Sequence, residues 1–201
     1  MTRPGLDGAE LARLFSLGAN DARTPLATLT GYSRTLAREL AEDPRGNYAA
    51  TLEESVAEIG NIVEQLAIVA RIHEGRYAPP TLEVVTTEDL ARASATALGP
   101  ERVEVRGEGT TITVAREPVE DALTACARAA MRHGGTDLVA IEVVATTLTF
   151  QPIHENARGV LGGTEIREFG VAAALLVLRT LGSTTSIVND CFVVELPKNS
   201  G

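Results

Sequence analysis

The first part of the chain carries apolar residues at the spacing of an amphipathic helix. They lie three, four or seven positions apart and form one stripe. The stripe consists of Leu11, Phe15, Gly18, Ala22, Leu26, Leu29, Leu36 and Leu40. After a break at Asp43-Pro44-Arg45-Gly46, a second stripe runs through Tyr48, Leu52, Val56, Ile59, Val63, Leu66, Val69 and Ile72. This pattern predicts two long helices joined by a short loop.

Two long helices joined by a short loop form an antiparallel hairpin. A single hairpin covers only half of each apolar stripe. Two copies that pair as a four-helix bundle would exclude water from both stripes, so the pattern predicts a homodimer. Residues 1–76 are therefore expected to form a helical dimerisation domain.

The rest of the chain mixes strand-like and helix-like segments. Tandem prolines in Tyr77-Ala-Pro-Pro80 cannot continue the second helix and indicate a linker. Strands are expected near 82–85, 103–106, 111–114, 138–144 and 148–151, with a closing hairpin at 185–196. Helices are expected at 87–98, 118–133 and 165–181, and a loop at 152–163. Helices that alternate with hairpin-like strand pairs predict an α+β domain over residues 77–201, with one sheet and its helices on one face.

The composition of the chain limits the classes of partner that it can bind. The chain has 201 residues and a net charge of -9, which argues against nucleic acid because a phosphate backbone must be met by a clustered basic face. No stretch is as long and apolar as a membrane span, and no apolar signal segment follows Met1. The expected location is the cytoplasm, with no membrane partner.

A motif in the first predicted helix resembles the phosphoacceptor box of bacterial two-component histidine kinases. The box reads Ser-His-Glu-Leu-Arg-Thr-Pro-Leu, often followed by Gly-Tyr; this chain has Ala19-Asn20-Asp21-Ala22-Arg23-Thr24-Pro25-Leu26 and then Gly31-Tyr32. A proline inside a helix costs a hydrogen bond, so its chance placement within a continuous apolar stripe is disfavoured. The position of Pro25 therefore supports the resemblance. The alternative is that Pro25 starts a helix.

The order of hairpin, linker and α+β domain also matches that family over nearly the whole chain, and it is similar in plan to stand-alone histidine phosphotransferases. The resemblance implies a hairpin that forms a dimeric four-helix bundle, followed by a domain with the ATPase fold of histidine kinases. It also implies a role in two-component signalling.

The chain departs from the family pattern at the positions that carry phosphoryl transfer, metal binding and nucleotide binding. Asn20 stands where the family places its phosphorylated histidine, and a delocalised amide nitrogen is no nucleophile. Ala129, in Arg128-Ala-Ala-Met-Arg-His133, stands where the family has an asparagine that orders magnesium. The segment Gln151 to Gly163 lacks the Asp-x-Gly-x-Gly element, and Phe169-Gly-Val-Ala-Ala173 replaces a glycine-rich phosphate turn. We therefore expect a degenerate member with no autophosphorylation, no nucleotide cofactor and no metal.

Three hypotheses follow. The leading one is a pseudoenzyme that binds a response-regulator receiver domain or a partner kinase. Its contact residues would be Asn20, Asp21, Arg23, Thr24 and Thr28. The alternative is a phosphatase of receiver aspartyl phosphate, because in the family an acid-x-x-Thr pair such as Asp21 and Thr24 orients a water molecule for that reaction. The third is an atypical histidine kinase or phosphotransferase.

Other chemistry-bearing residues give weaker signals. His73, His133 and His154 are candidate phosphoryl carriers, but none lies in a context like that of the family. A histidine near a helix C-terminus is expected there because its cation suits the helix dipole. His154-Glu155 and Glu165 lack the spacing of metal ligands.

Overall fold

The computed structural model describes residues 8–41, 43 and 46–198. The chain divides into two compact units, Met1–Tyr77 and Ala78–Gly201. The first unit holds helices α1 (Gly8–Glu39) and α2 (Gly46–His73). Pro44 and Arg45, which the sequence places in the break between the helices, lie outside the described residues.

Helices α1 and α2 run antiparallel. Arg23 pairs with Glu64 at 2.7 Å, and Arg34, which lies later in α1, pairs with Glu53, which lies earlier in α2, at 3.6 Å. Pro25 lies inside α1, which excludes the alternative that it starts a helix. The buried residues of the hairpin are mostly small, and small side chains allow two helix axes to approach closely. They are Ala12, Ala19, Ser33, Ala49, Val56, Ala67 and Ala70.

The second unit combines helices with two sheets. Its elements are β1 (Glu83–Thr86), α3 (Thr87–Leu98), β2 (Val103–Gly109), β3 (Thr111–Val114), α4 (Arg116–Gly134), β4 (Val139–Ala145), β5 (Thr147–Gln151), α5 (Glu155–Leu161), α6 (Phe169–Thr180), β6 (Thr184–Val188) and β7 (Cys191–Glu195). The larger sheet has the order β2-β4-β5-β7-β6, and only its β2–β4 pair is parallel. Strands β1 and β3 form a separate antiparallel pair.

The prediction of a single sheet is wrong, because β2 and β3 do not pair. Only Thr110 separates them, and the buried Thr87 holds that corner: its N–H donates to the Thr110 carbonyl, and its hydroxyl accepts from the Thr110 N–H, both at 3.0 Å. The same hydroxyl donates to the carbonyl of Ala145 at 2.6 Å. A side chain at Gly109 would lie 2.6 Å from the amide nitrogen of Glu88, so the close approach requires glycine. The chain therefore changes sheets at this corner.

One face of the larger sheet packs against α3, α4 and α6. Phe150 and Phe192 lie in this core without any solvent exposure, and their ring centroids are 5.5 Å apart. On β4, Ile141 and Val143 are buried in the same core, and the alternate residues Glu142 and Val144 face solvent. The helices thus cover one face, as the sequence predicts.

The segment predicted as a loop at 152–163 contains the short helix α5. Its buried residues Ala157, Val160 and Leu161 have helical spacing. The amides of Thr164 and Glu165 both donate to the carbonyl of Gly159 and close this helix. The turn that closes α5 thus extends to Glu165, and α6 begins at Phe169 rather than at residue 165. Among residues 8–41, 43 and 46–198, no helix is long and apolar enough to cross a membrane.

Candidate functional site

The residues that resemble a phosphoacceptor box lie on α1, where Ala19 is buried and the described polar residues of the motif face solvent. Asn20, Arg23, Thr24 and Thr28 are all exposed. Positions 20, 24 and 28 follow one another at single helical turns, so they share one helix face. The hydroxyl of Thr28 donates to the carbonyl of Thr24 at 3.2 Å. Asp21 belongs to α1, but its side chain lies outside what the structure describes.

A groove opens beside Asn20 within the hairpin unit. We call it the Asn20 groove; its volume is about 380 Å³. The lining residues are Ser16, Asn20 and Arg23 from α1, with Ala67, Arg71, Glu74 and Arg76 from the end of α2 and the turn after it. Because three of these seven residues are arginines, the groove is rich in hydrogen-bond donors.

An ion-pair network fixes two of these arginines. Glu64 accepts from a terminal nitrogen of Arg23 at 2.7 Å and of Arg71 at 3.0 Å. The hydrogen bond from Arg23, together with both positive charges, lowers the pKa of Glu64 although partial burial opposes the shift. Arg76 pairs with Glu74. The network draws the two helices together at the level of Asn20.

The Nε atom of Arg71 is buried and has no hydrogen-bond partner in the described part of the chain. Burial also raises the pKa of the neighbouring Tyr77 hydroxyl, and the charge of Arg71 opposes that rise. The end of α2 therefore places a partly used guanidinium group within the hairpin.

In the α+β unit, the position expected to order magnesium lies in the core. Ala129 has no solvent exposure. At the end of the same helix, His133 Nε2 lies 3.0 Å from Glu168 Oε2, and Arg132 Nη1 donates to Glu168 Oε1 at 3.2 Å. Glu168 immediately precedes α6. One carboxylate thus joins the C-terminal end of α4 to the N-terminal end of α6.

The segment that replaces the glycine-rich turn is regular helix. Phe169-Gly-Val-Ala-Ala173 forms the start of α6, and Val171 and Ala173 are buried. A helix start exposes only its first free amides, whereas a phosphate-cradling loop wraps several amides around the anion. This segment has no such wrapped loop.

The remaining candidate residues do not assemble into a site. His73 is exposed at the last position of α2, and His154 is exposed just before α5. Glu165 pairs with Arg167 at 2.6 Å. Within the described ranges, no three histidine, cysteine or acidic side chains lie close enough to hold a metal ion.

Sequence reasoning missed Arg71, Arg76 and Glu168. Glu64 and Arg71 lie seven residues apart on one helix face, a spacing that could have indicated their ion pair. The contact of Glu168 with His133 spans 35 residues and carries no local pattern. His133 was expected near the helix end because of the helix dipole, and the structure adds a carboxylate partner.

Solved structures share this architecture. The Acinetobacter baumannii histidine kinase AdeS is 15% identical, with a TM-score of 0.56 over 90% of this chain and 98% of that chain. Full-length ShkA, solved in complex with AMPPNP, is 20% identical, with a TM-score of 0.63 over 92% of this chain and 45% of that chain. No protein-family model matches the chain, and no curated protein matches it significantly in sequence. At these identities the likeness establishes the fold.

Proposed function

We propose that this chain, which shares its fold with histidine kinases, is a two-component signalling protein that binds a partner and transfers no phosphoryl group of its own. The observation that carries the proposal is Asn20. It is exposed on α1, with Arg23, Thr24 and Pro25 following as in a phosphoacceptor box. An amide at this position can accept and donate hydrogen bonds, but it cannot form a phosphoramidate.

The contacts of Glu168 support the lack of nucleotide chemistry. Its carboxylate already engages Arg132 and His133 beside the start of α6, the place where the family resemblance would put phosphate groups. A bound phosphate would have to displace this carboxylate or lie next to its negative charge. The buried Ala129 has no side-chain oxygen that could bind a metal ion. Both features argue against productive Mg-ATP binding.

The exposed apolar residues of the hairpin support a homodimer with a four-helix bundle. Phe15, Leu29 and Leu36 on α1 are 42%, 50% and 42% exposed, and they lie at multiples of seven residues. Tyr48, Leu52, Ile59 and Ile62 form a corresponding exposed set on α2. A second copy would bury both sets.

The proposed partner is a response-regulator receiver domain, with a partner kinase hairpin as the other candidate. The proposed contact surface is the α1 face formed by Asn20, Arg23, Thr24 and Thr28, with Asp21 between them. This face offers amide, hydroxyl and guanidinium groups. Such a surface suits a polar, reversible interface.

The test is a fluorescence titration of the full chain against the receiver domains of its own organism. Thr28→Arg places a bulky cation on the proposed face and should weaken binding at least ~tenfold. Thr96→Arg is the matched control, because Thr96 is also an exposed helical threonine whose hydroxyl donates to the carbonyl four residues earlier. If no receiver binds, or if both variants weaken binding equally, the proposal is wrong.

The alternative is a phosphatase that uses Asp21 and Thr24. The exposed position of Thr24, one turn from Asn20, favours it because both side chains can reach a water molecule held at this face. Thr24→Ala should abolish dephosphorylation of a receiver and leave binding within a few-fold. Unchanged turnover in that variant would exclude this mechanism. In the third hypothesis, an atypical kinase requires nucleotide binding, and a phosphotransferase requires a nucleophilic acceptor other than Asn20.

A further inference from the structure

The Asn20 groove concentrates positive charge in an acidic protein. Arg23, Arg71 and Arg76 line it, and Glu64 and Glu74 are the carboxylates they contact. Three guanidinium groups against two carboxylates leave one net positive charge here, whereas the whole chain carries -9. An anion that approaches the protein therefore meets a locally favourable field.

The donors of the groove are not used up by these contacts. Each guanidinium group has five N–H donors. In the described residues, Arg23 and Arg71 each direct one terminal nitrogen to Glu64. The Nε of Arg71 is buried, so it is not among the donors that a ligand in the groove can reach. The amide of Asn20 and the hydroxyl of Ser16 add neutral donors to the same wall. A ligand rich in acceptors and poor in donors would complement this lining.

We infer that the Asn20 groove is an oxyanion site that recognises a phosphoryl group. The proposed source of that group is the aspartyl phosphate of the receiver, so that this protein would bind the phosphorylated receiver in preference to the unphosphorylated one. This choice of source rests on the proposed function; the oxyanion site itself does not. Free phosphate is the other source of the same chemistry.

The geometry of the groove supports this ligand. Arginine pairs with phosphate through parallel hydrogen bonds and is favoured where such recognition is needed. The groove volume of about 380 Å³ accommodates a tetrahedral oxyanion with its bridging waters. The Glu64 network holds Arg23 and Arg71 in place before a ligand arrives, which lowers the ordering cost of binding.

The first experiment titrates the full chain with inorganic phosphate in a calorimeter. Millimolar or tighter binding is expected, and Arg71→Gln and Arg76→Gln should each weaken it at least ~tenfold. Asn20→Asp should have a similar effect, because it changes an exposed amide to a carboxylate of the same shape. Arg106→Gln is the control, since Arg106 is exposed and pairs with Glu104 in the other unit. Circular dichroism melting verifies that each variant is folded.

The second experiment compares one receiver domain with and without beryllofluoride, a mimic of its aspartyl phosphate. At least ~tenfold tighter binding of the beryllofluoride form, lost in Arg71→Gln, would support the receiver as the source. Equal affinity for both forms, together with phosphate binding, would overturn receiver selectivity and identify free phosphate as the ligand.

The failures of the two proposals are distinguishable. Phosphate binding without any bound receiver would contradict the proposed function and leave the oxyanion site supported. A receiver that binds equally in both forms, with no heat from phosphate, would overturn the oxyanion site and leave the proposed function in place.

Discussion

The two units of this protein bury their large apolar side chains to different extents. In the α+β unit, Phe150, Phe192 and Ile141 have no solvent exposure. In the hairpin, Phe15 and Tyr32 are 42% and 69% exposed, and the residues between the helices are mostly alanine. The α+β unit has a complete core within one chain, whereas the hairpin exposes its larger hydrophobic side chains.

This difference indicates that the α+β unit is stabilised by its own core, whereas the hairpin has surfaces suited to binding other molecules. A complete core gives a unit that can fold from its own contacts, and an exposed apolar stripe needs a second surface to exclude water. The residues that resemble a phosphoacceptor box all lie on the incomplete unit. The proposed dimer interface, the proposed partner surface and the Asn20 groove therefore belong to the hairpin.

The largest expected effect is a cavity in the complete core. Phe150→Ala should lower the free energy of unfolding of the α+β unit by about 3–5 kcal/mol, because the buried ring loses its contacts and leaves a void. Val84→Ala is the control, because Val84 is 71% exposed in the same unit and should change stability by less than about 0.5 kcal/mol. Urea denaturation measures both. Similar effects of the two substitutions would contradict the account of a closed core.

The next effect concerns the exposed stripe. Leu29→Glu combined with Leu36→Glu should raise the dimer dissociation constant at least ~100-fold, because each leucine contributes apolar area to the proposed bundle. Leu138→Glu, at a similarly exposed leucine of the α+β unit, should leave the dimer intact. Light scattering across micromolar concentrations gives the mass. A wild-type mass of one chain would remove the dimer proposal.

A steric probe compares two glycines. Gly109→Ala should cost about 1–3 kcal/mol, because the new methyl group would meet Thr87 and the Glu88 amide at the corner between the two sheets. Gly60→Ala in α2 has no atom within 4 Å of the new methyl group and should stabilise the hairpin by about 0.5–1 kcal/mol. Thermal denaturation followed by circular dichroism should show opposite signs. The same sign for both would mean that the corner is less tightly packed than the structure indicates.

The smallest effect is the pH dependence of the Glu64 network. Arg23 and Arg71 lower the pKa of Glu64, so the ionised form stabilises the folded hairpin above about pH 5, and this contribution is lost as the pH falls through the folded pKa. Because Glu64 is half exposed, the contribution is about 0.2–1 kcal/mol. Glu64→Gln should therefore be less stable than wild type at pH 7, and the difference should shrink as the pH falls below about 5. A difference that does not change with pH would assign the effect to packing.

Much of the fold could be predicted from local pattern. Helix α3 and strand β3 begin and end where the sequence places them, since a clear capping threonine at Thr86 and alternating residues mark them. The pairing of β3 could not be predicted, because it depends on a one-residue corner and on hydrogen bonds of the Thr87 hydroxyl with the Thr110 N–H and the Ala145 carbonyl. Helix α5 was missed because glycines and a proline surround its short apolar pattern.

The candidate site could be predicted only in part. The motif around Asn20 is contiguous in sequence, and Asn20, Arg23 and Thr24 lie at exposed positions on α1. The arginines opposite Asn20 come from the end of α2, about fifty residues away, and only the pairing of the helices brings them there. Glu168 was missed for the same reason, because its partners Arg132 and His133 belong to another helix.

The central claim is that a chain with the histidine kinase fold binds a partner without nucleotide chemistry. A calorimetric titration of the full chain with Mg-ATP tests it, because Glu168 opposes a phosphate group at the start of α6 and Ala129 has no side-chain oxygen for a metal ion. We expect no heat of binding at ATP concentrations approaching about 1 mM. Saturable binding with a micromolar dissociation constant would contradict it and favour the atypical kinase or phosphotransferase.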